Sequence, residues 1–254
     1  MTKKILVIPD CHAHPDYHND RADWLSQLII DQQPDIVVNL GDAADMPSLS
    51  SYDKGKRSFQ GRNYKNDLNA HLDFQERLWG PVKARKKKLP YRVVLEGNHE
   101  QRIERALDLS PELTGTYGFS DYDFDSYYNE VIRYNGGTPG IVEIEGILFA
   151  HYFIAGVSGR AVSGENPANM LLDKVGQSAV CGHIHTFDFT SKANTRGVVR
   201  NTLIAGCYQD YINPWAGNIG QLWRAGIPIL HSVENGDYDL QWVSLKALKE
   251  EYGR

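Results

Sequence analysis

What most constrains this chain is a pattern repeated five times: a short apolar run that stops abruptly in a cluster of polar residues. Lys4 to Pro9 (KILVIP) runs into Asp10-x-His12. Ile36 to Leu40 (IVVNL) runs into Gly41-Asp42-x-x-Asp45. Tyr91 to Leu95 (YRVVL) is followed by Gly97-Asn98-His99-Glu100, Ile147 to Ala150 by His151, and Ser178 to Cys181 by Gly182-His183-x-His185. Short runs rich in Val, Ile, Leu and Tyr read as buried strands. In α/β proteins strand ends gather along one side of the sheet, where ligands bind. Residues far apart in sequence can therefore converge there.

Between the runs the period changes. Asn19-Asp20 offers an N-cap, Leu25, Leu28 and Ile29 recur at helical spacing, and Pro34 closes the helix. Strand, helix and strand with short connections predict a right-handed βαβ unit and a parallel sheet. A second helix is expected from about Asp67, with Leu68, Leu72, Leu78 and Val82 near one face and Pro81 ending or kinking it. Residues 46–66 have no clean period and read as a loop or lid inserted over a site. Gln101 to Leu109 reads as helix, and residues 110–139 read as irregular. From Ile141 onward strands predominate, with one helix at Asn166 to Lys174, a hairpin turn at Asn235-Gly236 and a terminal helix at Leu245 to Glu251. The first half is thus expected to be parallel α/β and the second mostly antiparallel β. A single domain over residues 1–254 with two packed sheets is the economical reading.

Bulk properties exclude some classes of function. A net charge of -5 and a pI near 6.0 give no global attraction to nucleic acid or to an anionic membrane. Such a partner would need a local patch. The candidates are the basic tract Lys83 to Lys88 (KARKKK), the insert with Lys54, Lys56, Arg57, Phe59 and Arg62, and the later Arg196 and Arg200. The basic tract also reads as a solvated helix end, where cations are favoured. Cys11, Cys181 and Cys207 are too few for a disulfide framework and suggest a reducing compartment. No run approaches the ~20 apolar residues of a membrane span, and the basic N-terminus is broken at Pro9-Asp10. A cytoplasmic protein with no membrane partner is expected.

The five clusters carry the chemistry. Asp, Asn and His without Cys suit Mn, Fe, Co, Ni or Zn. Asp10, His12, Asp42, Asn98, His151, His183 and His185 are too many ligands for one tetrahedral ion. With one carboxylate shared, they suit two ions ~3.5–4 Å apart. Each cluster alone has a plainer reading. Asp10 and His12 could cap a loop, Asp42 and Asp45 could be N-caps, and His151 could be a hydrogen-bonded core histidine.

As an ordered set, D-x-H, G-D-x-x-D, G-N-H-E, H and G-H-x-H resembles the calcineurin-like metallophosphoesterase superfamily. The chain is similar to its small phage-type members, which are likened to DNA-repair nucleases. The resemblance implies a four-layer α/β/β/α fold, a metallophosphoesterase-type β-sandwich flanked by helices. It implies two divalent metal ions, manganese foremost, with iron, nickel, cobalt or zinc as the other candidates. By position, Asp10, His12 and His185 would hold the first ion, Asn98, His151 and His183 the second, and Asp42 would bridge them. His99 resembles the catalytic histidine and Asp45 the acid that pairs with it. Arg102 resembles a phosphate-contacting arginine of protein phosphatases, although Met46-Pro47 stands where those enzymes have Arg-Gly.

The implied function is hydrolysis of a phosphate ester by in-line attack of a metal-bridging hydroxide. The expected substrate is a phosphodiester, with DNA or a nucleotide among the candidates, and the expected setting is the host cytoplasm for a phage-encoded protein. The alternatives are a phosphomonoesterase acting on small molecules and a catalytically silent metal-binding scaffold. Glu100 has no role at this stage beyond orienting the turn or starting the next helix.

Overall fold

The computed structural model of the protein describes residues 2–85, 88–157 and 159–253. In chain order the elements are β1 (Lys3–Ile8), α1 (Asp20–Gln32), β2 (Ile36–Asn39), α2 (Tyr64–Ala84), β3 (Tyr91–Leu95), α3 (Arg102–Leu109), α4 (Phe124–Tyr127) and β4 (Glu130–Ile132). They continue with β5 (Ile141–Ile144), β6 (Ile147–Ala150), α5 (Pro167–Val175), β7 (Ala179–Cys181), β8 (Phe187–Ala193), β9 (Val199–Ala205), β10 (Gly226–Glu234), β11 (Asp237–Ser244) and α6 (Leu245–Tyr252).

These strands form a six-stranded sheet in the order β11-β10-β1-β2-β3-β4 and a five-stranded sheet in the order β5-β6-β7-β9-β8. The parallel run from β1 to β4 follows from its crossover connections. The halves of the chain do not map onto the sheets, contrary to expectation. β10 and β11 return to the first sheet as its antiparallel edge. The second sheet also contains a parallel trio, β6-β7-β9, because α5 carries the chain over the sheet between β6 and β7. β4 lies in the segment read as irregular; its three residues are all half-buried and give no alternation to read.

Period-two burial builds the layers. Ile5, Val7, Val38, Leu40 and Leu95 face Ile147, Phe149, Val180 and Leu203 of the second sheet. Their neighbours Leu6, Ile8, Val37 and Val94 turn the other way, onto Leu25, Leu28 and Ile29 of α1 and Phe74, Leu78 and Trp79 of α2. With α5 against the outer face of the second sheet, this is the four-layer α/β/β/α architecture. Each such side chain contributes roughly 1.5–3 kcal/mol on full burial.

Several local expectations change. Asn19 does not cap α1 with its side chain; its amide donates to the Ala70 carbonyl at 2.8 Å and to Asp73 at 2.9 Å, tying α1 to α2. α2 starts earlier than expected, because the Asn63 side chain accepts the Lys65 and Asn66 amides. It also runs through Pro81 to Ala84, held by the buried face of Leu78, Trp79 and Val82. The insert therefore ends at Asn63. It contains the 3-10 turns Pro47–Leu49 and Arg57–Phe59, and Arg62 pins it to Asp53 at 2.8 Å and to the Pro47 carbonyl at 2.9 Å. Of the basic tract, Lys86 and Lys87 lie outside the described residues. Arg85 and Lys88 line a cavity of about 330 Å³ with Pro34, Asp35 and Pro90, at the strand starts and away from the polar clusters. Arg196 lies in the connection between β8 and β9, likewise far from those clusters.

Candidate metal centre

All five polar clusters meet where the C-terminal ends of β1, β2 and β3 face those of β6 and β7. Backbone bonds lock the loops together: His12 N–H donates to Asp42 O at 2.8 Å and Gly182 N–H to His151 O at 3.0 Å. Across the sheets, His183 N–H donates to the Asp10 carboxylate at 3.0 Å. Approach is so close that glycine is required. A Cβ on Gly97 would lie 2.2 Å from both the amide nitrogen and Oδ1 of Asp42, and one on Gly182 would lie 2.0 Å from Asp10 Oδ2. The role of Gly97 is to let Asp42 in. Asp10, His12, Asp42, His183 and His185 all have positive φ. Such backbone is unfavourable for non-glycine residues and concentrates at functional sites.

Three groups could each hold a cation: Asp10, His12 and His185; Asp42, His151 and His183; and His12, Asp42 and His99. Asn98 joins the second group, with its Oδ1 3.0 Å from His151 Nε2. Asp42 Oδ2 lies 3.6 Å from His12 Nε2 and 3.4 Å from His151 Nε2. Atoms bound to one cation at about 2.1 Å stand roughly 3.0–3.4 Å apart, so these spacings fit shared ligation. The donor pattern fits as well. His12 Nδ1 faces Asp45 at 3.1 Å, and its Nε2 faces His185 Nε2 at 3.1 Å. His151 Nδ1 donates to the Leu40 carbonyl at 2.9 Å, which turns its Nε2 toward Asp42 and Asn98. Inward-facing imidazole nitrogens among carboxylates, with the outer nitrogens of His12 and His151 fixed by Asp45 and the Leu40 carbonyl, are what a divalent ion requires.

Electrostatics divides the histidines. Burial holds His12 and His183 down at about 4, with His99 and His151 respectively adding repulsion. Both are therefore neutral donors at pH 7. Burial would also lower His151, but the Asp42 carboxylate overrides it and raises the imidazole to about 9. Burial acts to raise Asp42 and Asp45, yet both carboxyls sit well below the usual range. His151 and His99 oppose burial at Asp42, and hydrogen bonds from His12 and His99 oppose it at Asp45.

His99 differs from the other histidines. Its N–H is held by Asp42 Oδ1 at 2.8 Å. Ring Nδ1 donates to the Asp45 carbonyl at 2.6 Å and lies 2.9 Å from Asp45 Oδ1. Arg102 Nη2 donates to His99 Nε2 at 3.0 Å, while Nη1 donates to the carbonyls of Asp45 at 2.7 Å and Met46 at 3.2 Å. A guanidinium beside Nε2 disfavours a metal ion at that nitrogen, which separates His99 from the other imidazoles.

The sequence reading missed the function of Glu100. It is fully buried and accepts the amides of Asp42 at 2.9 Å, Ala44 at 2.9 Å and Gly97 at 2.8 Å. It clamps the loop after β2 to the loop after β3. Burial, with Asp42 next, raises its carboxyl to about 7. Arg21 was also missed. Fully buried, it donates to the carbonyls of Cys11 and Tyr208, joining the loop after β1 to the segment after β9. Neither role leaves a sequence signal, because the partners are backbone atoms and, for Arg21, the carboxylate of Asp210 far along the chain.

The centre floors a cleft of about 880 Å³, lined also by residues of the insert and by Asn213, Pro214 and Trp215. The sequence profile of the calcineurin-like phosphoesterases matches residues 3–187. The chain belongs to the calcineurin-like phosphoesterase family. That makes it a metal-dependent phosphoesterase by family, and the clustered Asp and His groups are candidates to hold the metal. The chain is similar to the Gene 54 protein of Mycobacterium phage L5, at 28% identity over 235 residues, 87% of this chain and 80% of that one. It is also similar to the Gene 54 protein of Mycobacterium phage D29, at 26% identity over 231 residues with the same coverage. A solved structure, TT1561 of Thermus thermophilus, covers 96% of this chain and 100% of that one at 9% identity, with a TM-score of 0.39. No helix among the described residues is long and apolar enough to cross a membrane.

Proposed function

We propose that this phosphoesterase hydrolyses a phosphodiester, nucleic acid or a nucleotide, with two divalent cations of which manganese is the first candidate. The observation that carries the reading is Asp42, a buried carboxylate common to two groups of metal-competent side chains at the floor of an open cleft. Asp10, His12 and His185 would hold one cation, Asn98, His151 and His183 the other, and Asp42 both. Bound there, the pair would lower the pKa of a water to about 7 and neutralise phosphate oxygens.

The chain's own groups supply the rest. Asp45 holds the His99 ring through Nδ1, leaving Nε2 as the atom that faces the cleft and serves the leaving oxygen. Arg102 reaches His99 Nε2 and stands where an entering phosphate oxygen would compete for its guanidinium. Two features favour a diester over a monoester. Arg102 already spends its donors on Asp45, Met46 and His99, so little is left for the extra charge of a terminal phosphate. The cleft, at about 880 Å³, also extends beyond the metal centre along both the insert and the segment after β9, which gives a second ester substituent lining to meet. The insert, residues 46–63, is the candidate lid. The phage relatives support a host-cytoplasm setting.

The test is a matrix of Mn, Ni, Co, Zn and Mg against bis-p-nitrophenyl phosphate, p-nitrophenyl phosphate, and single- and double-stranded DNA. Diester turnover with manganese is expected. Turnover of the monoester alone would overturn the diester reading, and no turnover with any metal would favour a silent scaffold.

A further inference from the structure

The part of the cleft formed by Asn213, Pro214 and Trp215 comes from beyond the residues that match the family. It belongs to a run of 3-10 turns, Pro214–Leu222, placed between β9 and β10. Trp215 lines the cleft yet is 68% exposed, an unfavourable position for so large an apolar ring. The ring is braced from behind. It meets Trp223 edge-on at 5.7 Å between centroids, and Trp223 meets His185 edge-on at 4.4 Å. Its place relative to the metal centre is therefore set through a metal-competent side chain. Asn213 lines the same cleft, is only 5% exposed, and its Nδ2 has no hydrogen-bond partner among the described residues. A buried amide donor so placed is ready for an acceptor entering the cleft. The same cleft is lined by Tyr52, 77% exposed, with Lys56 and Arg62.

An aromatic face, an amide donor and two cations around a phosphoesterase centre match one chemistry. A nucleobase offers a flat face to stack and acceptors on its edge, and its backbone offers the phosphate. An aliphatic diester would leave the Trp215 face unmatched. We infer that Trp215 is the stacking platform, and Asn213 the edge contact, for a nucleobase next to the scissile phosphate. This rests on the phosphodiester reading and narrows it to base-bearing diesters with accessible bases, either a dinucleotide or single-stranded nucleic acid. A duplex keeps its bases stacked on one another and presents none to the platform.

The experiment compares single-stranded deoxyoligonucleotides with abasic oligomers of equal length and charge, at dinucleotide and eight-nucleotide length. Binding by the metal-free protein is read by fluorescence anisotropy, and cleavage by the manganese-loaded protein as kcat/KM. The native protein should favour base-bearing over abasic oligomers by about ten-fold or more in both readouts, given typical base–aromatic stacking. Trp215→Ala should collapse that ratio toward one, and Trp215→Phe should restore most of it. The length at which the preference is larger identifies the source as dinucleotide or strand. A native ratio near one, or a ratio unchanged in Trp215→Ala, would overturn the inference while leaving the phosphodiester reading intact. Absence of cleavage with a base preference still present in binding, and lost in Trp215→Ala, would overturn the phosphodiester reading and keep the subsite. A sedimentation mass that falls on Trp215→Ala with the ratio unaltered would make the patch a contact between copies and overturn it as well.

Discussion

At the residue scale, neighbouring side chains in Gly97-Asn98-His99-Glu100 do unlike work. Asn98 turns to His151, His99 to Asp45 and Arg102, and Glu100 to three backbone amides. His99→Ala is expected to keep its metal but lose about 10²–10⁴-fold in kcat, the usual worth of a positioned acid–base group. Asp42→Ala should lose metal and activity together. Metal content by mass spectrometry beside steady-state rates separates the two; full activity in either variant would contradict these roles. Outside the site, His71 gives a pH signature. It is fully buried in α2, its Nε2 donates to the Tyr122 carbonyl at 3.1 Å, and burial holds it down at about 4. The unfolded chain takes up a proton near pH 6.5 and the folded chain does not, so this contribution is complete above about pH 6.5 and fades as pH falls toward 4. It amounts to about 2 kcal/mol lost between pH 7 and pH 5. Urea unfolding of the native protein and of His71→Gln at both pH values should show that much less loss in the variant. Parallel pH dependence would contradict it.

At the element scale, the sequence disclosed the strands and their polar ends but not how the loops fasten. The runs before Asp10, Asp42 and Asn98 were legible because each is short, apolar and halted by a cluster. Their convergence followed from parallel pairing, which the helical spacing of Leu25, Leu28 and Ile29 already implied. The assignment of β10 and β11 to the first sheet was not legible, since a hairpin signal at Asn235-Gly236 says nothing about which sheet receives it. The start of α2 was misplaced because Asn63 reads as an ordinary loop residue until its side chain is seen accepting two amides. The cause of the glycine after β3 was not legible, because the contact is with Asp42, on a different strand's loop far back in the chain. Gly97→Ala places a methyl where Asp42 already sits, so the loops after β2 and β3 must separate. The expected outcome is loss of metal binding with the helices retained. Circular dichroism beside metal analysis would check it, and unaltered metal content would contradict the close approach.

At the scale of the whole molecule, two sheets share one apolar core and meet at one end in a cluster of like and unlike charges. Leu40, Val38 and Leu95 pack the interior against Phe149 and Val180, and just beyond them Asp10, Asp42 and four of the histidines are buried. Repulsion of imidazole by imidazole and of Asp10 by Asp42 makes this the end of the sandwich most dependent on what binds there. A cation that binds only the folded chain stabilises it by about 2.7 kcal/mol at one hundred times its dissociation constant. Manganese should therefore raise the unfolding temperature of metal-stripped protein. The same titration tests the central claim most directly when hydrolysis of bis-p-nitrophenyl phosphate is followed against added manganese per chain. A dinuclear centre predicts no turnover in stripped protein and a rise that levels off at two equivalents. Full turnover without metal, or a plateau at one equivalent, would contradict it.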